Sequence, residues 1–469
     1  MQATEDLIRN VVQQVLAQMG SGIANGSARP SGSTLGVYPT ADAAVAAAEA
    51  AFQKFRARPL ADRKTAIDLI KAICVDNADE LGRKELEETK VGRLDHKIAK
   101  LRDAIPTIPG VEFLKTDISS GDGGVWMTDY APFGVIGAIT PVTHSLPTLA
   151  CNAIGMLAGG NTVVFNAHPS GAKIAAEGVR RFNKAIRDAI GLDDLLTIID
   201  PPTLESATAL FDHRGVKLLV VTGGPAVARA ALSSKKRAIV AGPGNPPVVV
   251  DATADLDLAA ASIIFGAAFD NNLLCIGEKQ VFAVSEVFDK LMDLMGQKGA
   301  YRLNSGQIDA LTHAAFTKGD DGKLHVNKDL IGMDPSVLAK HAGVSVPANT
   351  QILFGETGDD HPFVDHEQMM PFVPFVRVPN VDRAIELAKR SEHGYGHTAV
   401  LHSRDTSVMS KMGKVMDCTI FVVNGPSTQG ISGPAPSSFS IAGPTGEGVT
   451  TPLTFCRQRR TTVSGFRFL

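Results

Sequence analysis

Residues 134–165 read GVIGAITPVTHSLPTLACNAIGMLAGGNTVVF, and their pattern decides the fold. The apolar run at 134–139 has the length of a strand, and its continuous hydrophobicity predicts burial on both faces. The segment through Met156 has the length and composition of a buried helix. Gly159-Gly160-Asn161 turns the chain, and 162–165 is a second run of β-branched and aromatic residues. Strand, helix and strand in about thirty residues is the parallel crossover unit. The window 146–165 is also the most membrane-like in the chain. Asn152 and the Gly-Gly-Asn turn interrupt it, so no membrane span is expected.

The alternation continues outward. A helix from Gly171, a strand at 196–199, a helix near 205–211 and a strand at 216–221 predict a parallel sheet with crossover helices, a Rossmann-like layout. Val221-Thr222-Gly223-Gly224-Pro225 ends one strand and opens a helix at Ala226, where free N–H groups suit a phosphate. Upstream, 41–101 is helical and Ala-rich, and 117–130, with Gly121-Asp-Gly-Gly124, reads as a hairpin. A second strand–helix region begins at Ala238. Strands are expected at 280–284, 351–354, 373–378, 397–402 and 419–423, with a helix at 381–389 after an Asn380 cap. Residues 425–450 are rich in Gly, Pro, Ser and Thr, which suits a loop at a site or an interface.

At 469 residues the chain should form two or three domains. A net charge of −3 gives no reason to expect nucleic acid, and Lys235-Lys-Arg237 and Arg457-Gln-Arg-Arg460 are too short to change that. The five cysteines, at 74, 151, 275, 418 and 456, show neither a CxxC pair nor metal-ligand spacing. They read as reduced thiols of a cytoplasmic protein that binds no metal. Residues 1–20 place Leu7, Ile8, Val11, Val12, Val15, Leu16 and Met19 on one helical face, and 21–35 is a Gly/Ser-rich linker. A tethered amphipathic helix suits docking to a partner better than fraying. Its Gln-rich polar face argues against a membrane.

One thiol stands out. Asn271-Asn-Leu-Leu-Cys275-Ile-Gly-Glu-Lys279 lies between an apolar helical run at 258–269 and the strand at 280–284. A cysteine in such a turn is held rigidly and serves as a nucleophile where amide dipoles or a cation stabilise its thiolate. The plain alternative is a small core side chain.

These segments, taken with Thr140-Pro141-x-Thr143, His168-Pro169, Ala241-Gly-Pro-Gly-Asn-Pro-Pro247, Glu367-x-Met-Met-Pro371, His397-Thr-Ala399 and Pro444-Thr-Gly-Glu-Gly448, resemble the aldehyde dehydrogenase superfamily over essentially the whole chain. The chain is most similar to the CoA-acylating branch, the propionaldehyde and acetaldehyde dehydrogenases of bacterial microcompartments. The resemblance implies an aldehyde dehydrogenase-like α/β fold. Its parts would be a Rossmann-like cofactor domain at 36–237 carrying an oligomerisation hairpin at 117–130, an α/β catalytic thiol domain at 238–424, and a return segment at 425–469 that completes a small β oligomerisation element. It implies Cys275 as the nucleophile that carries the acyl thioester, with Thr143 and His144 beside it. Thr140, Pro141, His168, Pro169, Thr222, Gly223, Gly224, Gly242, Glu367 and His397 would bind cofactor, with Glu367 on the nicotinamide ribose and His168 near the adenosine. The cofactor would be NAD, with NADP also open, since no clear acidic residue follows His168-Pro169 to exclude a 2′-phosphate. Coenzyme A would be the co-substrate and a short-chain aldehyde, propionaldehyde first, the substrate. Residues 1–20 resemble encapsulation peptides, which implies a cytoplasmic microcompartment and a shell-protein partner. A homo-oligomer, dimer or tetramer, is also implied.

Two departures matter. Hydrolytic relatives carry a glutamate general base where this chain has Ala241, with no carboxylate for several residues either side, so a thioester should wait for a nucleophile better than water. Relatives read Thr-Pro-x-Thr-Asn-Pro where this chain has His144-Ser145. Either a His N–H replaces the oxyanion-holding amide or backbone N–H groups suffice; loss of one such donor costs about 3 kcal/mol. The competing readings are a hydrolytic, acid-forming dehydrogenase, which the missing glutamate disfavours, and a non-catalytic cargo or scaffold protein, which Cys275 and its flanking residues disfavour.

Overall fold

The computed structural model describes residues 34–319, 322–432 and 436–465. The chain divides into two compact units, 1–34 and 35–469. The expected helix at 1–20 and nearly all of the linker at 21–35 lie outside the described residues.

The second unit is built on two parallel sheets. The first has six strands in the order Val37–Tyr38, Leu196–Ile199, Thr162–Ala167, Val135–Thr140, Val216–Thr222, Ala238–Ala241. Central strands of this sheet are wholly buried, as both Val135–Thr140 and Thr162–Ala167 are. That is why their sequences lack alternation. Helices Ser145–Ala158 and Ala172–Ile190 pack in one core with Phe165 and Phe182. A separate core with Val45, Leu210 and Val221 brings in helices Ala41–Phe55 and Leu204–Asp212. The second sheet has seven strands in the order Tyr301–Arg302, Leu353–Glu356, Phe372–Val378, Gln280–Val284, Pro247–Val250, Thr398–His402, Ile420–Val423. Its core includes Phe282, Phe288, Phe354 and Phe375, all fully buried, each stabilising the fold by about 2–3 kcal/mol. Local chemistry fixes the helix starts. Asn380 Oδ1 accepts the Arg383 N–H at 2.9 Å, and Asn304 forms a reciprocal box with Gln307, each cap contributing about 1 kcal/mol.

A third, antiparallel sheet joins Asp117–Gly121 and Gly124–Pro132 to Cys456–Ser464. The expected hairpin is there. The sheet's third strand, Cys456–Ser464, falls within the return segment expected at 425–469, and its arginines are exposed. The strand expected at 351–354 runs over Leu353–Glu356, where the Leu353 N–H binds the Pro371 carbonyl at 2.8 Å. The boundary expected at residue 237/238 also moves. Ala238–Ala241 is the sixth strand of the first sheet, paired through Thr222↔Ala241. The chain crosses to the second sheet in Gly242-Pro-Gly-Asn-Pro246, a run of strand-breaking residues with a strand on each side.

Candidate active site

In a doubly wound sheet, ligands lie beyond the carboxyl ends of the strands where the strand order reverses. Here that point falls between Val135–Thr140 and Val216–Thr222. Thr140 Oγ1 is buried without a hydrogen-bond partner among the described residues, while its carbonyl accepts the His168 N–H at 3.0 Å. Pro141 and Thr143 are half-buried in the following turn. Thr222 Oγ1 meets Ser440 Oγ at 2.7 Å. A Cβ on Gly224 would meet nothing within 4 Å, and Gly224 begins the Pro225–Leu232 helix with no side chain capping it. The first amides of that helix lack a side-chain cap and suit a pyrophosphate. An unpartnered hydroxyl, open glycines and uncapped amides on one sheet edge fit a dinucleotide. His168 is exposed, its Nδ1 accepting the Ser170 N–H at 3.2 Å in the 3₁₀ turn Pro169–Gly171.

The thiol comes from the opposite kind of edge, the amino ends of the second sheet's central strands. Cys275 precedes Gln280–Val284, Gly244 precedes Pro247–Val250, Glu367 precedes Phe372–Val378 and His397 precedes Thr398–His402. Parallel pairing brings these four positions together. A Cβ on Gly244 would lie 2.6 Å from the Cys275 carbonyl oxygen and 2.9 Å from His397 Cγ, so only glycine lets the three segments close. Gly242 is similarly close to Pro444 Cγ, at 2.6 Å from its added Cβ, which ties the crossing segment to the Gly443-Pro-Thr-Gly loop.

Charges in this cluster perturb one another. Burial, then Glu367, pushes the half-buried Cys275 thiol up to about 12, against Lys279 and the amides of Cys275 and Ile276. Burial raises Glu367 to about 7, opposed by Lys279 and the Gly244 amide. Lys279 is brought down to about 8 by burial, and its Nζ donates to the Asn272 and Leu274 carbonyls at 2.8 and 3.0 Å. His397 is lowered to about 4 by burial and by Lys279, so its ring is neutral near pH 7. Its Nδ1 lies 2.9 Å from Thr398 Oγ1, and its Nε2 is buried without a partner among the described residues.

The bend that delivers Cys275 is unusual backbone. Asp270, Asn271 and Asn272 all have positive φ, at 53°, 55° and 65°, a region that Asp and Asn tolerate better than other side-chain-bearing residues. Asn271 Nδ2 donates to the Gly332 carbonyl at 3.0 Å and Asn272 Nδ2 to the Glu278 carbonyl at 2.9 Å. Behind the bend lies a group of buried charges that no sequence pattern singles out: Glu85, Lys97, Lys100 and Asp270. It reaches His144, whose Nδ1 lies 2.9 Å from Lys100 Nζ, and Thr143, whose carbonyl accepts Lys97 Nζ at 2.9 Å. Lys279 and Gly244 also escaped notice. Lys279 lies within the quoted stretch, but only the fold puts it beside Glu367.

Known proteins agree with this architecture. Acetaldehyde dehydrogenase (acetylating) EutE of Salmonella typhimurium is 41% identical over 469 residues, covering 98% of this chain and 99% of its own. A Rhodopseudomonas palustris propionaldehyde dehydrogenase, solved with bound CoA and an acylated cysteine, superposes with a TM-score of 0.89 at 41% identity, covering 92% of this chain and 98% of its own. A propionaldehyde dehydrogenase from the Clostridium phytofermentans fucose utilisation bacterial microcompartment gives the same TM-score at 38% identity, over 92% and 99% of the two chains. The family model for the aldehyde dehydrogenase family matches residues 35–314. With a thiol on one sheet's amino edge, a dinucleotide-shaped carboxyl edge on the other, and these likenesses, the chain belongs to the aldehyde dehydrogenase family.

Proposed function

We propose that this protein is a CoA-acylating aldehyde dehydrogenase, which converts a short-chain aldehyde, CoA and NAD(P)+ reversibly to acyl-CoA, NAD(P)H and a proton. The observation that carries this reading is a lone thiol grouped with His397, Lys279 and Glu367, while the strand end at Ala241, where hydrolytic relatives place a base, offers only a methyl group. The first sheet, with Thr140, Pro141, His168, Pro169, Thr222, Gly223, Gly224 and Gly242, serves the cofactor, and the second carries the thiol. The dinucleotide, when bound, accepts the hydride.

The chain's own groups supply the remainder. Cys275 is held as a thiol, so its proton must leave as sulfur attacks the carbonyl carbon. His397 is the acceptor at hand. With its Nδ1–H donating to Thr398 Oγ1, the Nε2 lone pair is free. The oxygen that becomes an oxyanion is held by the Cys275 N–H and by His144, which takes the place of an amide donor; Thr143 sets the turn that carries His144. Hydride loss leaves a thioester on Cys275. His397 releases the first proton to solvent; the CoA thiol then adds, its proton going to His397 and on to the Cys275 sulfur, which leaves as acyl-CoA forms. Glu367 holds the nicotinamide ribose, which keeps its carboxylate from activating water.

Support for the setting comes from the microcompartment origin of the Clostridium relative and from the amphipathic pattern of residues 1–20. The enzyme works inside a cytoplasmic bacterial microcompartment, bound to a shell protein through residues 1–20. It assembles as a homo-oligomer, dimer or tetramer, through the three-stranded sheet.

The test is a reaction without CoA. Enzyme, propionaldehyde and NAD+ should give a burst of about one NADH per active site and then stall, with the acyl group found on Cys275 by mass. Added CoA should restore turnover and yield acyl-CoA. Undiminished NADH production without CoA, with carboxylic acid as product, would establish the hydrolytic reaction instead.

A further inference from the structure

Four ionisable side chains behind the thiol's bend, Glu85, Lys97, Lys100 and Asp270, are each at most 1% exposed, and His144 beside them is 5% exposed. Burying that many charges is costly unless each is paired, and here nearly every charge has a stated partner. Lys97 Nζ lies 3.6 Å from both Glu85 and Asp270, and Glu85 Oε1 accepts the Ser145 N–H at 3.0 Å. Asp270 Oδ1 accepts the Arg93 N–H at 2.8 Å, and the Asp270 N–H donates to His96 Nδ1 at 2.8 Å. Lys100, the first residue of the π-helical turn Lys100–Ala104, connects the two halves. Its Nζ forms an ion pair with Asp270 Oδ2, five residues before the thiol, and also reaches His144 Nδ1 at 2.9 Å.

The second of these contacts has a chemical consequence. An ammonium has three N–H donors and no lone pair, so Nδ1 of His144 must be the acceptor. A neutral imidazole whose Nδ1 accepts carries its one proton on Nε2. Burial and the two lysines hold the ring well below its ordinary pKa, which excludes the doubly protonated form. Apart from Lys100, the ring meets the Thr143 backbone, which opposes that depression, and no side chain among the described residues pairs with the Nε2–H. An amide side chain is a donor in every state, whereas a histidine is a donor at Nε2 only in one tautomer.

We propose that Lys100 is a positioning residue for acyl transfer: its ammonium locks His144 as the Nε2–H tautomer, so that a histidine can do the work of an amide donor at the developing oxyanion. This rests on the reading of His144 as an oxyanion donor and adds the group that makes the reading chemically possible.

The experiment is a double-mutant cycle on the full-length enzyme, read as the rate of the first-turnover NADH burst without CoA. His144→Ala should slow the burst by about 100-fold, and His144→Asn should recover at least about tenfold of that loss. Lys100→Met, or Lys100→Met/Asp270→Asn if the unpaired carboxylate prevents folding, should slow the wild-type burst by about tenfold or more and the His144→Asn burst by less than about twofold. Equal losses in both backgrounds would make Lys100 a structural residue and overturn the proposal. If His144→Ala does not slow the burst, or His144→Asn is as slow as His144→Ala, the oxyanion reading itself fails. A measurement on unmutated enzyme stands apart from folding of the variants. In ¹⁵N spectra of histidine-labelled protein, assigned by difference from His144→Asn, the His144 Nδ1 should carry no proton; a protonated Nδ1 overturns the lock.

Discussion

A thiol raised to about 12 is almost entirely protonated near neutral pH, so the residue that takes its proton governs the chemistry. His397, whose ring closes against the Cys275 backbone around Gly244, is the proposed acceptor. Because its folded pKa is depressed to about 4, it is already neutral, and able to accept, at every pH above that value. The first-turnover rate of the wild type should therefore fall as acid converts His397 to imidazolium near pH 4. His397→Ala should lower the rate by about 10²–10⁴-fold and abolish that acid limb. Stopped-flow NADH fluorescence over a pH series measures both, and an unchanged burst in His397→Ala would assign the proton elsewhere.

The bend and the strand it feeds are held by a second buried carboxylate. Glu278 accepts from the Ser427 N–H at 2.7 Å and Ser427 Oγ at 2.8 Å, fastening the 3₁₀ turn Ser427–Ile431 beneath the thiol segment. A Cβ on Gly266 would lie 2.0 Å from Glu278 Oε2, so the helix passes the carboxylate at a glycine. Burial raises Glu278 from 4.5 to about 7. The folded state thus binds more protons than the unfolded one between those values, and stability present below pH 4.5 is lost as pH rises through 7. The difference is on the order of 3 kcal/mol. Glu278→Gln keeps an acceptor for the Ser427 N–H and carries no charge, so its melting temperature should gain on the wild type from pH 5 to pH 8. Parallel curves across that series would mean Glu278 does not titrate there. Most elements at this scale were legible in the sequence. Val135–Thr140, Thr162–Ala167 and Gln280–Val284 announce themselves because both faces of a buried parallel strand must be apolar. The thiol's turn was legible because it lies between an apolar helix and one such strand. Lys97 and Lys100 were not: the helix Leu94–Ala99 and the turn after it alternate charge with apolar residues as a solvated helix does. Only tertiary packing reveals that these two ammonium groups point inward. His397 was seen as a residue of interest, but its neighbour, the Cys275 backbone, is 122 positions away in sequence.

Across the molecule, the three-stranded sheet differs from the two parallel ones in being antiparallel and largely exposed. Pairing Ile118↔Met127 and Val125↔Val463 puts Ile118, Val125, Met127 and Val463 on one face, with Ile118 66% and Val463 52% exposed. A flat apolar face on a sheet with an open edge needs a partner. Under the proposed assembly through this sheet, Ile118→Asp combined with Val463→Asp should shift the enzyme to a smaller species by light scattering while the fold survives; an unchanged mass would overturn that contact. The connectivity of this sheet also bears on how the chain is made. All six strands of the first parallel sheet lie between residues 37 and 241, so they leave the ribosome before any strand of the second. The hairpin 117–132 emerges early too, yet the strand that covers the edge of Gly124–Pro132 is 456–464. During most of synthesis that hairpin is therefore an open, apolar template. A message that stops translation a few codons before residue 456 would leave the cofactor half and the thiol segment intact in sequence. It would nevertheless yield a polypeptide that clumps, and the cell would notice the loss of its last strand as aggregation before it noticed a loss of activity.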